Sequence, residues 1–103
     1  MDAPQKEHAL ASETFQCTVV TPEQAVFDEA VVYANLPAHD GQMGIMHDRA
    51  PLLTELGAGR LDVQLPNGSR RQFDLAGGFA QMNANRLTLL TEKATELNPP
   101  TAG

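Results

Sequence analysis

Residues 36 to 59 read Leu36-Pro37-Ala38-His39-Asp40-Gly41-Gln42-Met43-Gly44-Ile45-Met46-His47-Asp48-Arg49-Ala50-Pro51-Leu52-Leu53-Thr54-Glu55-Leu56-Gly57-Ala58-Gly59. Gly41 and Gly44 bracket a short polar hairpin, and the apolar Ala50-Pro51-Leu52-Leu53 run follows almost at once. The Ala50-Pro51-Leu52-Leu53 block reads as a buried corner where the chain crosses between the two sheets, with Leu52 and Leu53 packed inward on at least one side. Downstream, Leu61, Val63 and Leu65 alternate with Asp62 and Gln64, the two-residue period of a strand with one buried face. Pro66-Asn67-Gly68 then supplies a tight turn, because Asn and Gly tolerate positive φ. The return strand turns Phe73 and Leu75 inward, and a last hairpin joins Gly78–Met82 to Leu87–Leu90 across Asn83-Ala84-Asn85.

Upstream the same period recurs. Phe15, Cys17 and Val19 alternate with Gln16 and Thr18, and Thr21-Pro22-Glu23 ends that strand because proline cannot donate to a ladder. A short strand is expected from Ala25 to Phe27 and a longer, β-branched one from Val31 to Leu36, closed by Pro37. Thr91 to Leu97 has room for a single helical turn, and Asn98-Pro99-Pro100 stops any extension. Short strands separated by turn residues at close intervals predict an all-β fold, a sandwich or a barrel, and require no helix. The expected organisation is a flexible N-terminal tail over 1–13, the folded β domain over 14–94, and a short C-terminal tail over 95–103.

The composition bounds function. At 103 residues the chain holds one domain. With four Phe, one Tyr and no Trp, its core must be built from Val, Leu, Met and Ala, and such a domain draws stability from partners. The formal charge of −6 argues against nucleic acid, whose phosphates repel an acidic surface. The Arg70-Arg71 pair, placed just before a strand, reads as a solvated edge. No run reaches the roughly 18 to 20 apolar residues of a membrane span, and the first residues lack the basic and apolar regions of a secretory signal, which favours the cytoplasm.

Candidate chemistry is thin. Cys17 is the only cysteine, which excludes an internal disulfide and a thiolate cluster and reads as a small core residue. His39-Asp40 and His47-Asp48 offer metal-ligand types if they meet across the turn, yet such pairs are common in exposed turns where Asp caps backbone donors. Ser12 and Ser69 are not in a G-x-S-x-G elbow, and no G-x-x-x-x-G-K-[ST] loop exists for a nucleotide phosphate. The residues therefore point to no catalysis, no cofactor and no metal.

One family shares the order and spacing of these features. Asp40-Gly41-x-x-Gly44-Ile45, Ala50-Pro51-Leu52-Leu53-Thr54 and a glycine before a new strand, with Phe15 to Glu23 ahead and Asp74-Leu75-Ala76-Gly77-Gly78-Phe79 and Leu89 to Ala94 behind, resemble the amino-terminal β-sandwich of the epsilon subunit of F-type ATP synthases. Arg49 stands where many members have histidine, and His47-Asp48 replaces a usual Pro-Gly pair. The resemblance implies a two-layer antiparallel β-sandwich of short strands, and the C-terminal helical hairpin that commonly follows it, two antiparallel helices, is not expected here. The resemblance implies a non-catalytic rotor subunit of the central stalk, in one complex with the alpha and beta subunits, attached to the cytoplasmic face of the bacterial inner membrane only through that complex. It implies a c-ring contact at Ala38, His39, Asp40, Gly41, Gln42 and Met43, and a gamma-subunit contact at Arg49, Ala50, Pro51 and Leu52. Asp40 suits basic loop residues, whereas Gln42 replaces an often acidic side chain. The competing reading is a free-standing β-sandwich module that binds a ligand or peptide at a sheet edge.

Overall fold

A computed structural model describes residues 13–97. The expected 1–13 tail, apart from its last residue, and positions 98–103 lie outside the described residues. Eight strands and no helix occur among the described residues: β1 (Phe15–Val20), β2 (Ala25–Val31), β3 (Tyr33–Ala38), β4 (Gly41–Ile45), β5 (Leu52–Gln64), β6 (Arg70–Asn83), β7 (Arg86–Leu90) and β8 (Ala94–Glu96). They hydrogen-bond in the order β2-β1-β7-β6-β5-β3-β4, with β8 added to β6. All pairs are antiparallel except β1 with β7, which is parallel.

The path folds into two layers along the long β5–β6 ribbon. β5 and β6 have 13 and 14 residues, so these two strands are not short. Their register stays in step from Leu52↔Met82 to Gln64↔Arg70. The side of each strand that meets the core nevertheless changes. In β5 it passes from Leu56 to Leu61 and Val63, and in β6 from Phe73 and Leu75 to Ala80 and Met82. Strict alternation would keep one parity throughout. The change falls at Gly57, Gly59, Gly77 and Gly78, and Gly77 and Gly78 have φ of +88° and +121°. At Gly78 a side chain is excluded twice, since that φ disfavours L-residues and a Cβ would overlap the Leu90 carbonyl oxygen. Beyond the crossing β6 changes partner, pairing with β8 at Phe73–Leu75 and with β7 at Phe79–Asn83.

The core lies between the layers. Phe15, Cys17, Val19, Phe27, Leu87 and Leu89 come from β1, β2 and β7, and Ala34, Leu36, Ile45, Leu61, Val63 and Phe73 face them. Phe27 and Phe73 meet across the gap, ring centroids 5.4 Å apart and tilted by 60°. Cys17 is fully buried, and its thiol is pushed up to about 12, first by desolvation and then by the Asp28 charge. It is an inert core residue.

Three local expectations are revised. The strand expected over Val31–Leu36 divides: Val31 ends β2 and β3 runs from Tyr33 to Ala38. Pro37 does not close it. The β3–β5 register shifts between Asn35 and Ala38, so the missing N–H of Pro37 falls where β5 makes no regular pair. Gly59 makes room for that ring, since a Cβ there would lie 2.9 Å from Pro37 Cβ. Ala94–Glu96 forms β8 in place of a helical turn, because the edge of β6 offers it a ladder closed by Leu97 N–H donating to the Gln72 carbonyl at 2.8 Å.

Candidate functional surfaces

The two segments expected to meet partners lie at opposite ends of the sandwich. Ala38 pairs with Gly41 across the β3–β4 hairpin and with Leu56 on β5. His39 N–H donates to the Glu55 carbonyl at 2.9 Å, which fixes the hairpin tip beside the ribbon crossing. His39, Asp40, Gly41 and Gln42 are exposed there, and Asn35 Nδ2 donates to Gln42 Oε1 at 2.6 Å. Ala38 is buried and Met43 packs against the core, so these two members of the expected contact support the tip rather than present a surface.

Arg49, Ala50 and Pro51 are exposed at the other end, and Leu52 is half-buried as the first residue of β5. Leu53 points outward, contrary to the expectation that both leucines pack in. It is 70% exposed, because one strand cannot turn two successive side chains to the same face. The corner before Arg49 is tied to the β6–β7 turn. Asp48, at φ 60°, donates its N–H to Asn85 Oδ1 at 2.6 Å, and Asn85 Nδ2 returns a bond to Asp48 Oδ1 at 3.2 Å. His47 Nδ1 lies 3.2 Å from Asp48 Oδ2. His47-Asp48 and His39-Asp40 therefore do not meet. No cluster of three or more His, Cys, Asp or Glu placed to hold a metal occurs among the described residues. Ser69 donates its hydroxyl to Asn67 Oδ1 at 2.7 Å and shapes the turn, while Ser12 lies outside the described residues.

A third surface escaped the sequence reading. Glu55, Phe79, Leu90 and Val20 stand in one cross-strand row over β5, β6, β7 and β1. Phe79 and Leu90 are each 53% exposed on the outer face, and Leu53 adjoins Phe79 diagonally. Val20, Pro22, Phe79, Leu90 and Glu92 line a shallow depression of about 390 Å³ beside the row. The signal was present as doublets: Val19-Val20, Leu52-Leu53, Phe79-Ala80 and Leu89-Leu90. Two successive apolar residues in a strand make both faces of the sheet apolar.

Both members of the arginine pair are ion-paired, Arg70 exposed and Arg71 half-buried. Arg70 holds Asp62 at 2.6 Å, and Gln72 donates to the same carboxylate at 3.1 Å. Partial burial pushes Asp62 upward, but the bonds from Arg70 and Gln72 outweigh it and leave the carboxyl below its usual range. Arg71 donates to both oxygens of Glu96 at 2.6 and 3.0 Å, reaches Glu29 at 3.4 Å, and lies 5.2 Å from the Phe27 ring centre and 5.9 Å from that of Phe73. Glu96 is held below its usual range, chiefly by the Arg71 hydrogen bonds.

Comparison with known proteins agrees with this architecture. The profile of the ATP synthase delta/epsilon chain β-sandwich domain matches residues 14–97. The ATP synthase epsilon chain of Rhodopirellula baltica is 38% identical over 81 residues, covering 79% of this chain and 62% of that protein. The chloroplastic epsilon chain of Anthoceros angustus is 38% identical over 92 residues, covering 86% of this chain and 66% of that protein. A chain in the cryo-EM structure of the Euglena gracilis mitochondrial ATP synthase shares the fold, with a TM-score of 0.77 at 22% identity over 81% of this chain and 53% of that one. This chain thus spans less than two thirds of the length of these relatives. The matched span runs from the start of β1 to the end of β8, and with the sandwich it encloses it establishes that the chain belongs to the ATP synthase delta/epsilon β-sandwich family.

Proposed function

We propose that this chain is a non-catalytic rotor subunit of an F-type ATP synthase, joining the gamma subunit to the membrane c-ring in the central stalk and coupling ion flow to ATP chemistry. The observation that carries this reading is the family match over residues 14–97, with 38% identity to an epsilon chain. The physical form suits the role. Two hydrogen-bonded layers around a closed core resist shear, so a push at one end is transmitted to the other instead of being absorbed. The His39–Gln42 tip faces the ring and meets its loops with polar groups and the Asp40 charge. Arg49, Ala50, Pro51 and Leu52 face gamma from the opposite end. Alpha and beta subunits belong to the same complex, and the chain sits peripherally at the cytoplasmic face of the bacterial inner membrane, held there by its partners. The apolar row at Phe79 and Leu90 supports a life in contact with other subunits, because a lone domain gains nothing from exposing it.

Membranes carrying an ATP synthase that lacks its epsilon subunit test the reading. Added chain restores proton-driven ATP synthesis and co-sediments with gamma and the c-ring. Failure to bind such membranes, or binding without recovery of coupling, overturns it.

A further inference from the structure

We propose that β8 is a releasable strap, latched to the sandwich by Arg71 and able to leave β6 while the other strands stay folded. β8 is three residues long and pairs with β6 through Phe73↔Glu96, Asp74↔Thr95 and Leu75↔Ala94. Its apolar anchor is slight: Ala94 is half-buried against the core, and Thr95 and Glu96 are exposed. Every other strand places at least one Phe, Leu, Ile, Val or Met in the core. Apolar burial therefore holds β8 far less than it holds its neighbours.

Arg71 makes up the difference. Its Nε and Nη2 grip both oxygens of Glu96, and two parallel charge-assisted bonds are the strongest form of this contact. The same guanidinium reaches Glu29 on β2 and lies over Phe27 and Phe73. One side chain thus spans β6, β8 and β2, where the edge of one layer meets the edge of the other. Opening β8 does not strand that charge, since Glu29 and the two ring faces remain with Arg71. A latch that keeps its other partners opens at low cost, whereas a buried charge left alone would forbid it. Release frees the β6 edge at Phe73–Leu75 for another extended segment. The inference concerns this chain alone and stands independently of its assembly into a larger complex.

Amide hydrogen exchange followed by NMR on the whole chain tests it. Leu97 N–H, bonded to Gln72, reports the strap. Gln16 N–H, bonded to Asn85, and Thr91 N–H, bonded to Val20, report the body of the sandwich. Leu97 should exchange faster than the other two and with a shallower dependence on guanidinium, as expected of a small opening. Glu96→Gln and Arg71→Met should each accelerate Leu97 roughly tenfold, and Glu29→Gln should do so less. Val19→Ala, which weakens the body equally in the strapped and unstrapped forms, should accelerate Gln16 and Thr91 and leave Leu97 unchanged. Equal acceleration of all three amides by Val19→Ala, or a guanidinium slope at Leu97 as steep as at Gln16, means that β8 opens only with the whole domain and overturns the proposal. An unchanged Leu97 in Glu96→Gln overturns the latch. Should Arg71→Met fail to fold, Glu96→Gln and the guanidinium slopes of the unaltered chain still decide.

Discussion

The seam at Arg71 and the hairpin tip at His39–Gln42 are both short, polar stretches near the end of a strand, yet the fold uses them in opposite ways. At the seam the charged groups Arg71, Glu96 and Glu29 engage one another. Arg71 joins three strands and rests on two aromatic rings, so a charge is used to close one side of the sandwich. At the tip, His39 N–H donates to the Glu55 carbonyl and the Gln42 side chain accepts from Asn35, and neither bond involves the Asp40 side chain. Exposed polar groups without a structural duty are free to serve recognition, and a tip of this kind changes sequence without loss of fold. Pairing between charged groups, not polarity, separates the two regions.

The largest expected effect breaks the comparison from the core side. Phe73→Ala removes the ring that carries both Phe27 and the Arg71 guanidinium, and should cost about 3 to 5 kcal/mol of stability by urea denaturation. A loss of under about 1 kcal/mol, the scale of a surface change, would show that the seam is not anchored there.

Acid sharpens the comparison next. Asp28, Asp62 and Glu96 all have folded-state pKa values below their usual range. Asp28 is lowered first by the Gln16 and then by the Thr18 hydrogen bond, and Glu96 by Arg71, while at Asp62 burial opposes and is outweighed by Arg70 and Gln72. The unfolded chain therefore takes up protons first as pH falls. The stabilisation is complete above the ordinary carboxylate range, near pH 4, and is lost as pH drops below it through the folded values. Melting temperature should stay level from pH 7 to about 5 and then decline. A decline that begins at pH 6 to 7 would show that these carboxylates do not set the acid limit.

A smaller gain is expected at the β6–β7 turn. Ala84 sits at φ 52° and Asn85 at φ 60°, left-handed geometry that suits asparagine and glycine but strains alanine. Ala84→Gly should stabilise the chain by about 0.5 to 1 kcal/mol. A destabilised variant would show that the Ala84 methyl makes contacts that outweigh the strain.

The smallest effect on stability belongs to the tip. Asp40→Lys combined with Gln42→Lys should leave stability within roughly ±0.5 kcal/mol, while membranes reconstituted with the double variant lose coupling between ion flow and ATP synthesis. Preserved coupling removes the tip from the ring contact, and a fall in melting temperature gives it a structural role.

Features set by near neighbours were legible beforehand. The inward positions of Phe15, Cys17, Val19, Phe73 and Leu75, and the turns at Pro66-Asn67-Gly68 and Asn83-Ala84-Asn85, follow from period and from local backbone sterics, and the structure has them. The exposed tip was legible for the same reason, although Ala38 and Met43 within it turned inward with the pleat of β3 and β4. What could not be read rests on distant partners. Arg71 meets Glu96 and Glu29 across 25 and 42 positions, Asp48 meets Asn85 across 37, and β8 exists because β6 leaves an edge open beside it.

By itself, then, the sequence determined an all-β sandwich, its turns, most of its buried set and its family, because alternation and turn chemistry act over a few residues. Only the tertiary structure decided that β5 and β6 are long strands that change their inward face at a glycine crossing, that β1 runs parallel to β7, and that Phe79 and Leu90 share an exposed row. The physical reason is the same in each case. A strand's period says which residues share a side, but which side meets the core, and which strand lies next to it, is settled by the packing of segments far apart in the chain.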